Sequence, residues 1–252
     1  MVVLHILGIF FGLFLCYVLF LFICSLFVNP KKEYEDHSRF YRFLLNQASA
    51  LALKIMRIRV HTDGIDKIPK GTKNLLFVSN HRSNFDPIIT WVVLKEWQIT
   101  FVSKASNFKI PIFGRFIRKC CFMAIDRENP RNAIKTIGKA AKLLKKGEVS
   151  IGIYPEGTRS KSGKLLPFHN GVFKIAQKAD AAIVVLSIEN TEQIHKNYPF
   201  YHTDVSLKVL DIISPEIVST AKTAVLGDNI RNLLEQQLHK GNDSHAEENN
   251  SG

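Results

Sequence analysis

A chain of 252 residues, 46% of them hydrophobic, has room for one sizeable domain with a short appendage and not for two domains of average size. Its formal net charge of +12 calls for an anionic partner: nucleic acid, an acidic membrane face or a phosphorylated substrate. Cys16 and Cys24 lie in an apolar run, while Cys120 and Cys121 are adjacent and poorly placed to bridge each other, so neither a disulfide framework nor a zinc site is expected and the compartment reads as reducing.

Residues 2–28 carry no Asp, Glu, Lys or Arg, and His5, Cys16, Tyr17 and Cys24 are their only ionisable side chains; the run exceeds the roughly 20 residues that a helix needs to cross a bilayer. A membrane helix is expected there. No Lys or Arg precedes it and Lys31 and Lys32 follow it, the reverse of a cleavable signal peptide. With Arg39 and Arg42 on the same side, the flanking charge predicts that the main domain faces the cytoplasm.

Phe40, Phe43, Leu44, Ala48, Leu51, Ala52 and Ile55 then recur at helical spacing, with Arg39, Arg42, Asn46 and Lys54 between them. This predicts an amphipathic helix starting near residues 36–38. It either packs on the domain or lies on the bilayer.

From Leu75 onward, short apolar runs alternate with helical stretches. Strands are expected at 75–78, 100–103, 122–125, 149–154, 183–188 and 205–210, and helices at 87–97, 130–146 and 222–239. Such alternation predicts an α/β fold, a largely parallel sheet flanked by helices. The helix from Pro130 has a cap candidate in Asn129 and Gly147 just past its end. Its lysines at 135, 139, 142, 145 and 146 form either a solvated face or a grip on an anionic membrane or carrier protein. The boundaries are an anchor and amphipathic helix over 1–58, the main domain over 59–240 and a polar, disordered tail over 241–252.

Two short segments carry the chemistry. In Asn80-His81-Arg82-Ser83-Asn84-Phe85-Asp86-Pro87, a carboxylate follows an imidazole closely enough to hold one ring nitrogen and make the other a base for a hydroxyl proton. Asp86 before Pro87 also reads as a plain helix cap. In Tyr154-Pro155-Glu156-Gly157-Thr158-Arg159-Ser160, beyond an expected strand end, a glycine, a hydroxyl and a guanidinium suit a phosphate. Glu156 is expected to orient Arg159 or to hold the acceptor. A P-loop does not fit, because Gly157 and Gly163 are wrongly spaced and Leu165 follows Lys164. No Gly-x-Ser-x-Gly elbow is present, and Ser83 reads as a turn residue rather than a nucleophile.

On these residues the chain resembles the membrane glycerolipid acyltransferases, and most closely the 1-acylglycerol-3-phosphate (lysophosphatidate) acyltransferases, from about residue 70 to 190. His81 and Asp86 fall on that family's His-x4-Asp pair, and Glu156, Gly157, Thr158 and Arg159 on its Pro-Glu-Gly-Thr-Arg block. The resemblance implies that His81 and Asp86 are catalytic and that the second block binds substrate, joined by Lys104 and by Arg127, the latter as a second phosphate ligand. It also implies lysophosphatidate as acceptor, coenzyme A or acyl carrier protein as carrier of the acyl thioester, a membrane location, and no bound cofactor or metal. Two blocks depart from type: Cys121 and Ala124 stand where glycine and phenylalanine are usual, and Ile183-Val184-Val185 where valine-proline-valine is. Another lysolipid as acceptor is the nearest alternative. A non-catalytic, membrane-tethered module for anionic lipid is the alternative of a different class, and it leaves the two blocks unexplained.

Overall fold

The computed structural model describes Met1 to Asn250 except residue 127, with side chains described up to His239. Helix α1 (Val2–Leu26) is about 37 Å long at 1.5 Å per residue, enough to cross a hydrocarbon core of roughly 30 Å. Only its last turns touch the domain: Leu21, Cys24 and Val28 are buried while Phe10, Leu13 and Leu19 are bare. Helix α2 (Arg39–Ile55) is capped by Ser38, whose hydroxyl accepts from Tyr41 N. It buries Tyr41, Leu44, Leu45 and Leu53 and leaves Phe40 and Phe43 exposed. Arg42 departs from the polar stripe expected of it. It is 4% exposed, with its guanidinium over the Trp91 ring at 4.5 Å and Nη1 donating to Ile99 O at 2.9 Å.

Seven strands follow: β1 (Ile58–Asp63), β2 (Leu75–Ser79), β3 (Thr100–Lys104), β4 (Met123–Ile125), β5 (Ile151–Ile153), β6 (Ala182–Glu189) and β7 (Thr203–Ile213). They form one sheet in the order β1-β7-β6-β2-β5-β3-β4, parallel throughout except between β6 and β7. The expected mostly parallel α/β fold is what the chain adopts.

Helices α3 (Asp86–Val93) and α4 (Phe113–Lys119) join α2 on one face of the sheet. Leu75, Phe77, Val184 and Leu186 pack there against Leu44, Trp91 and Phe116. Helices α5 (Pro130–Lys145), α6 (Lys174–Ala179), α8 (Pro215–Thr220) and α9 (Thr223–Asn250) cover the other face. Leu76, Val78, Ile183 and Val185 meet Leu144, Phe173, Val218 and Ile230 there. A strand with two buried faces must be apolar at every position, which is why the central runs read as continuous hydrophobic segments. The short α7 (Ile194–Asn197) lies between β6 and β7.

Two helix limits differ from expectation. The helix after Asp86 stops at Val93 and gives way to a 3-10 turn over Lys95–Trp97. Helix α9 runs on to Asn250, so its last turns coincide with the segment assigned to the tail, whose residues 251 and 252 lie outside the described residues. Asn129 caps α5 as expected, accepting from Arg131 N and Asn132 N, and Gly147 follows it at φ +72°.

Candidate active site

Strands β6, β2 and β5 are neighbours with their carboxyl ends on one side, and each delivers part of one site. The chain leaves β2 through Asn80, whose amide donates to Ile188 O at 2.8 Å and accepts from Ile188 N at 2.9 Å. Those bonds to β6 fix where His81 begins.

Asp86 is the first residue of α3, with Phe85 as the cap, so it is not the N-cap that an isolated Asp-Pro suggests. Its carboxylate turns back over the preceding turn. Oδ2 accepts from Arg82 N at 2.7 Å, Ser83 N at 2.8 Å and His81 Nδ1 at 2.7 Å, and Oδ1 accepts from the Thr191 hydroxyl at 2.5 Å. A fully buried carboxylate is tolerable only with such a complement of donors. An ionised carboxylate only accepts, so the imidazole proton sits on Nδ1 and Nε2 keeps its lone pair.

The imidazole is also held by its face. Tyr154, which follows β5, stacks on it with centroids 4.4 Å apart and planes 22° apart, and Phe101 lies parallel beneath Tyr154 at 6.1 Å. Burial, with the Asp86 charge added, pushes the Tyr154 phenol well above its ordinary pKa. Gly152 makes this stack possible, since a Cβ there would collide with the Phe101 ring.

Glu156 is 3% exposed and bonds backbone only: Oε1 accepts from His81 N at 2.7 Å and Oε2 from Leu166 N at 2.9 Å. Burial holds its pKa above the ordinary carboxylate value, although those amides work against it. Ser160 N donates to His81 O at 2.8 Å, so the loop after β5 grips the backbone of His81 from both sides. The structure thus gives Glu156 a scaffolding job, and among the described residues it makes no bond to Arg159. Gly157, at φ +69°, lies in the left-handed region that strains other residues, and a Cβ there would push the exposed His169 ring, 2.9 Å away, aside.

Two clefts adjoin this loop. One, of about 220 Å³, is polar and lined by Arg82, Arg159, Lys161, Glu192 and His195. Arg82 is engaged there, donating to Glu192 Oε1 at 3.3 Å and Gly163 O at 3.0 Å, whereas Arg159 and Lys161 carry no bond or ion pair among the described residues. The other, of about 130 Å³, is apolar and lined by Val102, Ile125, Ile137, Ile153 and Val172, with Gly157 and His169 at its edge. The segment 157–159 runs from one cleft to the other.

Of the residues singled out in the sequence, His81, Asp86 and Glu156 are bonded together, Gly157 edges the apolar cleft and Arg159 lines the polar one. Thr158 is exposed without a partner among the described residues. Lys104 ends β3, exposed and bonded to none of them. Arg127 lies outside the described residues. Sequence reasoning gave no role to Thr191 or Lys161 and did not foresee the Tyr154 stack. Thr191 reaches Asp86 across 105 positions, through a strand pairing that no spacing reveals.

With this geometry in view, comparison with known proteins gives a consistent result. A family model described as Acyltransferase matches residues 57–189. The chain is 30% identical over 190 residues to a chloroplastic 1-acyl-sn-glycerol-3-phosphate acyltransferase of Arabidopsis thaliana, covering 73% of this chain and 52% of that protein. It is 31% identical to the 1-acyl-sn-glycerol-3-phosphate acyltransferase of Salmonella typhimurium over 66% of this chain and 67% of that one. The chain therefore spans about half the length of the plant relatives it matches and about two thirds of the bacterial one. In fold, it is similar to the crystal structure of the 1-acyl-sn-glycerophosphate acyltransferase of Thermotoga maritima, with a TM-score of 0.67 and 23% identity over 89% of this chain and 88% of that one.

Proposed function

The chain belongs to the acyltransferase family, and from that premise we propose that it transfers a fatty acyl group from a thioester to the sn-2 hydroxyl of lysophosphatidate, forming phosphatidate in phospholipid synthesis. The observation that carries this reading is an imidazole with a carboxylate on Nδ1 and no partner on Nε2 among the described residues, set beside a cationic cleft and an apolar one. A phosphate beside a chain of methylenes is the chemistry those two clefts complement.

In this mechanism His81 Nε2 takes the proton of the acceptor hydroxyl as its oxygen attacks the thioester carbonyl. Asp86 keeps the tautomer and faces the imidazolium that forms. The tetrahedral intermediate collapses with cleavage of the C–S bond, and the departing thiolate of coenzyme A or acyl carrier protein receives the proton. No acyl-enzyme forms. Arg159 and Lys161 supply the charge that meets the acceptor phosphate. Arg127 as a second phosphate ligand and Lys104 as support for the oxyanion rest on the resemblance. Glu156 and Gly157 shape the loop between the clefts, and Thr158 offers its exposed hydroxyl to the acceptor. Lys31, Lys32 and Arg39 after α1 favour a catalytic domain on the cytoplasmic side.

One observation favours a second acceptor class. Glu192 Oε2 is buried beside the polar cleft with no donor among the described residues, a place that a headgroup hydroxyl or ammonium would fill. Turnover with lysophosphatidate, lysophosphatidylglycerol and lysophosphatidylethanolamine, each with acyl-coenzyme A and acyl carrier protein donors, separates the readings. Lysophosphatidate is expected to give the highest kcat/KM. Loss of a charge-assisted contact in Arg159→Ala should raise its KM about 10- to 100-fold; an unchanged KM removes Arg159 from the phosphate site.

A further inference from the structure

Between Glu96 and Asp126 the chain has no acidic residue, yet it carries Lys104, Lys109, Arg115, Arg118 and Lys119. Among the described residues none of these five forms an ion pair. The lysines of α5 are unlike them. Lys139 pairs with Glu33, Lys145 with Asp180, and Lys146 with Glu35 and Asp36, so much of that row is neutralised within the chain. Residues 104–119 are thus a stretch of five cations with no acid among them and no ion pair among the described residues.

That segment stands where α1 meets the domain. Arg115 Nη1 donates to Ser25 O at 3.0 Å in the last turn of α1, and Ser38 N, at the start of α2, donates to Lys119 O at 2.8 Å. Lys119 and Lys32 both lie against the Tyr34 ring, at 4.1 and 5.4 Å, which brings two like charges to one ring. At the tip, Ile110 is 47% exposed between the exposed Lys109 and Pro111.

We propose that Lys109–Lys119 is a second membrane contact, which lays Ile110 at the acyl boundary and its cations among anionic phospholipid headgroups. The proposal rests on α1 being seated in a bilayer. Residues that touch its exit turn then sit at headgroup height, where each basic side chain is drawn to an anionic surface and an exposed aliphatic tip gains by leaving water. The contact holds the strand ends and clefts at a fixed height over the surface that supplies a lipid substrate.

The test uses the full-length chain in vesicles whose lipids carry brominated acyl chains, made either of phosphatidylcholine alone or of an equimolar phosphatidylcholine and phosphatidylglycerol mixture. Trp91 and Trp97 are buried at 4% and 3%, so wild type supplies the background to subtract. Three probes are compared: Phe10→Trp in α1, Ile110→Trp, and Ile217→Trp on α8, across the sheet. Quenching and a blue shift are expected for the first two and not for the third. Adding Lys109→Glu to the Ile110→Trp chain should reduce its quenching in the phosphatidylglycerol vesicles. If the Phe10→Trp probe is quenched while the Ile110→Trp probe keeps aqueous emission, the second contact is overturned and the anchor stands. If neither is quenched, both are overturned. A blue shift of the Ile110→Trp probe caused by acyl carrier protein, without quenching in vesicles, overturns the lipid assignment in favour of a protein partner.

Discussion

Asp86 gathers three donors on one carboxylate oxygen and a fourth on the other, and the catalytic reading depends on what that does to His81. Asp86→Asn keeps the shape, since the amide oxygen can still accept from Arg82 N and Ser83 N, but removes the negative charge that faces the imidazolium. We predict a fall in kcat of about 10²- to 10⁴-fold, with a smaller change in KM, measured in steady-state assays. Tyr154 acts through its ring face. Tyr154→Phe should therefore keep kcat within about threefold, whereas Tyr154→Leu, which loses an aromatic contact of about 0.5–1.5 kcal/mol beyond its area, should lower kcat about tenfold in a folded protein. Equal activity of the two variants would show that the stack does not position the base. At this scale the sequence displayed His81, Asp86 and the second block because their types and order are diagnostic. Thr191 and the role of Tyr154 were hidden, because their work depends on which strands become neighbours.

At the scale of elements, the departure at Cys121 acquires a physical meaning. Its φ is +62°, in the left-handed region that glycine enters without strain, so the glycine usual in the family suits this turn and a cysteine there costs about 1–2 kcal/mol. Burial, the largest influence on both thiols, pushes Cys120 up to about 12 and Cys121 up to about 11. The sign follows: the folded state binds these protons more tightly than the unfolded chain does. Their contribution to stability is intact at neutral pH and is lost as pH rises from the ordinary thiol range towards those values. Both cysteines should therefore resist N-ethylmaleimide at neutral pH until the protein is denatured, as read by peptide mass spectrometry. Labelling in the native state would mean that the turn opens. Most strands were legible as elements because burial on two faces leaves long apolar runs. Strand β1 was not, since Ile58–Asp63 lies at the sheet edge with most residues exposed, and its alternation of Ile58 and Val60 with Arg59 and His61 is too short to stand out. Helix α4 was hidden too, being seven residues long and preceded by Pro111.

For the whole molecule, the +12 charge resolves into parts that the sequence could not separate. The acids at 33–36 and Asp180 neutralise much of the α5 row, while the cations of 104–119 and the pair Arg159 and Lys161 form no ion pair among the described residues. Arg42, counted from the sequence among the polar positions of its helix, is instead buried over Trp91. What the sequence did foretell is a long apolar helix near the N-terminus and an α/β fold with a mostly parallel sheet. The central claim is that this domain moves an acyl group with His81 as its base, and the direct measurement is phosphatidate formation from lysophosphatidate and acyl thioester by wild type and His81→Ala in detergent. The account predicts turnover by wild type and a loss of about 10²- to 10⁴-fold in a variant whose melting temperature is unchanged. Equal turnover by a folded His81→Ala protein, or none by wild type with any lysolipid acceptor, would contradict it.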